Sequence, residues 1–199
     1  MKKIPTLFER EFDNHKVIGI KPIVTPGMEW VLDGEGEATL KLDGSCCAII
    51  DNVFYKRYDA KQGKKVPAGA IPCQPEADPI TGHWPHWVPV DEKNPADKWF
   101  LEAYKYSRAY DEYFMNDFMF DSVVTFEAVG PHFQGNPYHM HFDFLAKHGV
   151  VKMPDFPRTF EGMRRYFEVV RIEGVVFWKD GEPQCKIKRS DFGFPWNER

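Results

Sequence analysis

Residues 37–58 read EATLKLDGSCCAIIDNVFYKRY, and this stretch decides the fold. β-Branched, aromatic and other apolar residues fill it, broken by Asp43-Gly44 and Asp51-Asn52. Short runs of that composition, closed by turn-forming pairs, read as strands joined by tight turns. The spacing predicts strands over 37–42, 46–50 and 53–58. Upstream, the apolar-rich run 16–24 reads as another strand. Downstream, 122–129 does too, and 175–178 with 185–188 form a pair around Lys179-Asp180-Gly181. Asn94-Pro95 supplies an N-cap followed by proline at the first helical position. It predicts a helix over 96–114 with Trp99, Ala103, Tyr106 and Tyr110 near one face. A second helix is expected over 160–169. Pro, Gly and charge crowd residues 60–95, which predicts a long surface excursion. The class is α+β, mixed, with mostly antiparallel sheets and flanking helices. The regular βα alternation of a doubly wound sheet is missing.

Bulk properties narrow the function. A chain of 199 residues can hold one domain with a substantial core, or at most two small ones. Hydrophobic residues make up 43%, so the chain can fold alone and need not be disordered. Aromatics reach 16%, enough for a β-rich core and for a cleft that stacks bases. The net charge of −4 excludes a histone-like basic protein, so any nucleic acid must meet a local basic face. No apolar run approaches about 18 residues, and MKKIPTLFEREFD is not a secretory leader. An intracellular chain, cytoplasmic or nuclear, with no membrane partner is expected. Cys46, Cys47, Cys73 and Cys185 are irregularly spaced with no CxxC pair, so reduced thiols are expected. A zinc set of Cys73, His83 and His86 is the alternative to plain loop histidines beside prolines, and the loop reading is preferred.

Four segments carry the chemistry. Lys41-Leu42-Asp43-Gly44 sits where a strand meets a turn. Glu127 and Glu173 each lie at a strand, in Phe126-Glu127-Ala128-Val129-Gly130 and Glu173-Gly174-Val175-Val176. Lys186-Ile187-Lys188 puts two lysines on one strand face, because side chains alternate with a period of two. Each segment alone is ordinary: a surface turn, two strand edges, a solvated face. In this order they resemble the covalent nucleotidyltransferases, which comprise DNA ligases, RNA ligases and mRNA-capping guanylyltransferases. The resemblance runs from about Glu37 to Gly193. Asp43-Gly44-Ser45-Cys46-Cys47, residues 82–90 (GHWPHWVPV) and Gly135-Asn136-Pro137-Tyr138 look like the small 5′-to-3′ RNA ligases that include a vertebrate representative.

The resemblance implies a nucleotidyltransferase (ATP-grasp-like ligase) adenylation domain, expected to span 1–199 as a monomer; many relatives carry a further C-terminal domain, often an OB-fold, and in departure from them no separate one is expected here. It implies that Lys41 takes AMP from ATP, that the AMP passes to an RNA 5′-phosphate, and that a 3′-hydroxyl then attacks, as in RNA repair. Glu127 would hold the ribose, Glu173 a Mg²⁺ or Mn²⁺ ion, and Lys186 and Lys188 the phosphates. Arg57 would meet the ribose or the incoming 5′-phosphate. Phe144 is preferred over Phe142 for stacking on adenine, against the alternative of a core phenylalanine, and backbone groups at Leu40 and Thr39 would read its amino edge. Asp43 either aligns the lysine or forms an Asx turn with Gly44, itself a backbone requirement near the phosphates.

These residue types suit the reaction. A free lysine has a pKa of about 10.4, so only about one in a few thousand is neutral at pH 7. Neighbouring cations and burial increase the neutral, nucleophilic fraction. Metal and paired lysines offset charge developing on the phosphates. The basic run Lys56, Arg57, Lys61, Lys64 and Lys65, with Lys186, Lys188 and Arg189, is the candidate track for the polynucleotide. A DNA ligase, a GTP-using capping guanylyltransferase and an inactive nucleic-acid-binding relative are the alternatives.

Overall fold

The computed structural model describes residues 1–14, 16–61, 64–79, 81–110 and 123–197. In chain order the strands are β1 (Phe8–Asp13), β2 (Lys16–Val24), β3 (Glu37–Lys41), β4 (Ser45–Ile50), β5 (Val53–Ala60) and β6 (Ile71–Pro72). They continue with β7 (Trp84–Pro89), β8 (Val123–Val129), β9 (Phe144–Lys147), β10 (Gly174–Lys179) and β11 (Glu182–Lys188). The described α-helices are α1 (Lys98–Tyr110) and α2 (Phe160–Val169). Strand pairing is antiparallel throughout these named strands, so the mixed α+β class with antiparallel sheets holds. Two compact units divide the chain: residues 1–3 with 43–148, and residues 4–42 with 149–199.

The first unit is a six-stranded sheet in the order β6-β7-β5-β4-β8-β9. Asp51 and Asn52 both take positive φ, 48° and 64°, and give the two-residue connection that the sequence predicts between β4 and β5. On one sheet face Cys47, Ile49, Phe54, Val124, Phe126 and Leu145 pack with α1. Asn94 caps the turn before α1, its side chain accepting from the Ala96 amide at 3.1 Å. The helix buries Ala103 and Ser107, with Trp99 packed against the same cluster as Ala103, while Tyr106 stacks on Phe142 at 4.4 Å. The Ser107 hydroxyl accepts the Leu145 amide at 2.8 Å, which fixes the helix on the sheet. The expected helix end at 114 and strand start at 122 lie outside the described residues.

The excursion expected over 60–95 contains a strand. β7 pairs with β5 and buries His86, Trp87 and Val88. Two prolines within six residues hide it from a propensity reading. They fit because Pro85 and Pro89 alternate with residues whose amides serve the ladder.

The second unit holds the ribbon β1–β2 and a three-stranded sheet, β11-β10-β3. Side-chain alternation sends Ala38, Val175, Phe177, Cys185 and Ile187 to one face, where they meet Phe156, Met163 and Phe167. Each buried apolar side chain of this size contributes about 2 kcal/mol. A one-residue slip would turn all of them outward, so the register is fixed by the core. Thr159 caps α2, accepting from the Gly162 amide at 3.1 Å. Strand β1 was not expected from the sequence. Its charged alternation, FEREFD, resembles a solvated turn, and pairing with β2 is what makes it a strand.

Candidate functional site

The core that fixes β3, β10 and β11 also fixes their opposite face. Lys41 pairs with Gly174, and Gly174 with Lys188; one row along, Thr39 pairs with Val176, and Val176 with Lys186. Paired residues on adjacent strands point to the same side. Three lysines from two separate sequence segments therefore share one sheet face, with Lys41 and Lys188 two strands apart, about 10 Å between backbones. Gly174 stands between them. A Cβ there would lie 2.4 Å from the Ile187 carbonyl oxygen and 3.0 Å from the Lys188 Cα, so only glycine permits this closeness.

Glu173 completes the cluster. Its carboxylate accepts from the Lys41 ammonium at 2.7 Å, with both side chains largely shielded from solvent. The Glu173 carbonyl accepts the Arg189 amide at 2.9 Å, tying the residue to the end of β11. The Leu40 amide donates to the Val151 carbonyl at 2.9 Å, so that donor is engaged within the protein. Thr39, 1% exposed, accepts the Trp178 indole N–H at 2.9 Å and braces the strand that carries Lys41.

A second cluster lies in the first unit. The Gly44 amide donates to Glu127 Oε1 at 3.1 Å. His148 Nε2 meets Glu127 Oε2 at 2.9 Å, and its Nδ1 meets the Thr125 hydroxyl at 3.0 Å. Gly44 is needed for close approach: a Cβ would fall 2.2 Å from the Ala128 carbonyl oxygen. The Asp43 amide donates to the Tyr138 hydroxyl. Cys46 pairs with Glu127 across β4 and β8. Packing around the Cys46 thiol, then the neighbouring Glu127 charge, push its pKa from 9.0 up to about 12.

The other sequence candidates are placed as follows. Arg57 donates to Asp59 at 2.9 Å. Phe144 opens β9 beside Phe142, ring centroids 6.1 Å apart. Lys56 is bound to the buried carboxylate of Asp97, so its charge is used internally and the basic run 56–65 is weaker than its sequence suggests. His86 is buried in β7, with Nδ1 2.8 Å from the Trp84 carbonyl oxygen. Among the described residues, the three-donor cluster suited to a metal is Cys46, Glu127 and His148, rather than Cys73, His83 and His86.

Sequence reasoning missed His148, Thr125 and Tyr138 as site residues. The sequence pointed to Tyr138 only through Gly135-Asn136-Pro137-Tyr138. His148 carried no local motif, since its role comes from β9 lying beside β8.

No protein-family model matches the chain. The chain is similar to a Danio rerio protein named RNA ligase 1, 28% identical over 140 residues, which covers 58% of this chain and 42% of that protein. The chain thus spans less than half the length of this relative. The similarity is distant.

Proposed function

We propose that this chain is an ATP-dependent RNA ligase that joins 5′-phosphate and 3′-hydroxyl ends through a lysine–AMP intermediate, with residues 1–199 acting as one adenylation domain and as a monomer. The observation that carries the reading is the shared sheet face of Lys41, Lys186 and Lys188, with the Glu173 carboxylate 2.7 Å from the Lys41 ammonium. The distant likeness to RNA ligase 1 supports the choice of class.

The nitrogen of Lys41 attacks the α-phosphorus of ATP, a P–N bond forms, and pyrophosphate leaves along the opposite direction. An ammonium has no lone pair, so Lys41 first gives up one proton to solvent and parts from Glu173. Lys186 and Lys188 supply fixed positive charge for the phosphates. Glu173 fits a hard cation, because Mg²⁺ and Mn²⁺ take one or two carboxylates and fill the remaining positions with water and phosphate oxygens. Such an ion, when bound, neutralises phosphate charge.

The order of motifs along the chain, rather than a distance, assigns Glu127 to the ribose, Arg57 to the ribose or 5′-phosphate, and Phe144 and Leu40 to adenine. Asp43 and Gly44 connect the nucleophile strand to β4. AMP then passes to the RNA 5′-phosphate, and attack by the 3′-hydroxyl releases it.

Labelled ATP or GTP with Mg²⁺ or Mn²⁺, followed by denaturing electrophoresis, tests the proposal. Label from ATP that chases into sealed 5′-phosphorylated RNA is expected. Glu173→Ala should lower labelling and blunt its metal dependence. Label from GTP alone would place the chain with the capping enzymes, and sealing of DNA in preference to RNA would make it a DNA ligase.

A further inference from the structure

We propose that Cys46, Glu127 and His148 form a binding site for a zinc-class divalent cation. The sheet order β4-β8-β9 puts their side chains next to one another: Cys46 pairs with Glu127, Glu127 pairs with Ala146, and His148 lies two residues beyond Ala146 on the same face. The Cys46 sulfur, a Glu127 carboxylate oxygen and a His148 ring nitrogen all lie within 4.8 Å of one another. Bond lengths of about 2.0–2.3 Å to one tetrahedral ion need donors about 3.3–3.6 Å apart. The trio therefore closes around an ion by small side-chain movements, with no shift of backbone.

The surrounding hydrogen bonds suit this use. His148 Nδ1 has the Thr125 hydroxyl as its partner at 3.0 Å, which fixes the ring and aims Nε2 at Glu127 Oε2, 2.9 Å away; a bound ion takes the place of that contact. Glu127 Oε1 takes the Gly44 amide at 3.1 Å, so Oε2 is the oxygen turned towards His148. Sulfur, imidazole and one carboxylate select zinc over magnesium, whose preference is for oxygen alone. On binding, a metal–sulfur bond forms and the thiol proton passes to solvent. Three protein ligands leave a fourth position for water.

The site has a consequence that rests on the ligase reading. Glu127 is there the ribose carboxylate, and a bound ion engages that same carboxylate. Zinc and the nucleotide then compete, so zinc is an inhibitor of adenylylation and not its cofactor.

Cobalt(II) titration of the whole chain tests the site without any nucleotide. A near-ultraviolet sulfur-to-cobalt charge-transfer band saturating at one equivalent is expected. Cys46→Ser should abolish it and Cys73→Ser should keep it. Thr125→Val, which leaves every ligand in place, should weaken binding about tenfold or more. Absence of the band, or a band that survives Cys46→Ser, would overturn the site. A separate arm measures ATP labelling with and without zinc, relative to each protein's own zinc-free level. A drop of about tenfold in the natural protein, absent in Cys46→Ser, is expected. A cobalt band without zinc inhibition would overturn the competition alone. Lack of labelling under all conditions would refute the ligase reading and leave the cobalt result standing.

Discussion

Replacing Gly174 by alanine tests whether the lysine face depends on the close packing of β10 and β11. The new Cβ would sit 2.4 Å from the Ile187 carbonyl oxygen, and real Cβ contacts essentially never fall below 3.0 Å. At least about 0.6 Å of separation must open. Strand β10 is paired on both sides, to β3 and to β11, so it has no free direction in which to retreat. Overpacking of this kind costs about 1–3 kcal/mol, and the double pairing argues for the upper half, about 2–3 kcal/mol. The movement falls on the row that holds Lys41 and Lys188. Misplacement of about 1 Å in a reacting constellation costs about 100-fold, so a loss of about tenfold in ATP labelling is expected. Gly19→Ala in β2 is the control, because its nearest neighbour is the Asp191 carbonyl oxygen at 3.9 Å, and its effect should stay within about 0.5 kcal/mol. Urea unfolding gives the stability, and labelling is measured where circular dichroism shows both variants folded. A Gly174→Ala protein as stable and as active as the natural one would refute the packing argument. Equal destabilisation by Gly19→Ala would refute its locality.

Other substitutions probe different parts of the account. Lys56→Met strands the Asp97 carboxylate, 1% exposed, and should cost about 3 kcal/mol in urea unfolding; an unchanged midpoint would show that the pair is dispensable. Trp178→Phe removes the donor to the buried Thr39 hydroxyl and should cost about 1 kcal/mol beyond the lost ring area, checked by comparison with Trp178→Phe in a Thr39→Val background. Burial pushes the Cys185 thiol from 9.0 up to about 12, with the Arg158 charge acting against it. The folded chain keeps that proton while the unfolded chain releases it, so stability should fall as pH rises from about 9 towards about 12, by about 1.4 kcal/mol per unit. Cys185→Ala should remove that part of the alkaline slope, and an identical slope in both proteins would contradict the burial effect.

Local composition made the strands around residues 37–58 legible, because turn pairs and apolar runs act within a few residues. The second helix and the closing hairpin were legible for the same reason. Strand β7 was not, since its prolines argue against a strand unless the alternating partners on β5 are known. The candidate residues Lys41, Glu127, Glu173, Lys186 and Lys188 were singled out by order along the chain. Their geometry was not, since a shared face depends on register, which the core of another part of the chain fixes. His148 shows the limit most clearly. Nothing near it in sequence marks it, and only the adjacency of β8 and β9 brings it to Glu127. The same holds for Lys56, a basic residue in sequence and an internal counter-ion in the fold.

The central claim is that Lys41 is the nucleophile. Incubation with ATP and Mg²⁺, followed by intact-mass measurement and peptide mapping, tests it most directly. The account predicts one added AMP, mapped to Lys41 and missing in Lys41→Ala. An AMP adduct that persists in Lys41→Ala, or that maps to another residue, would contradict it.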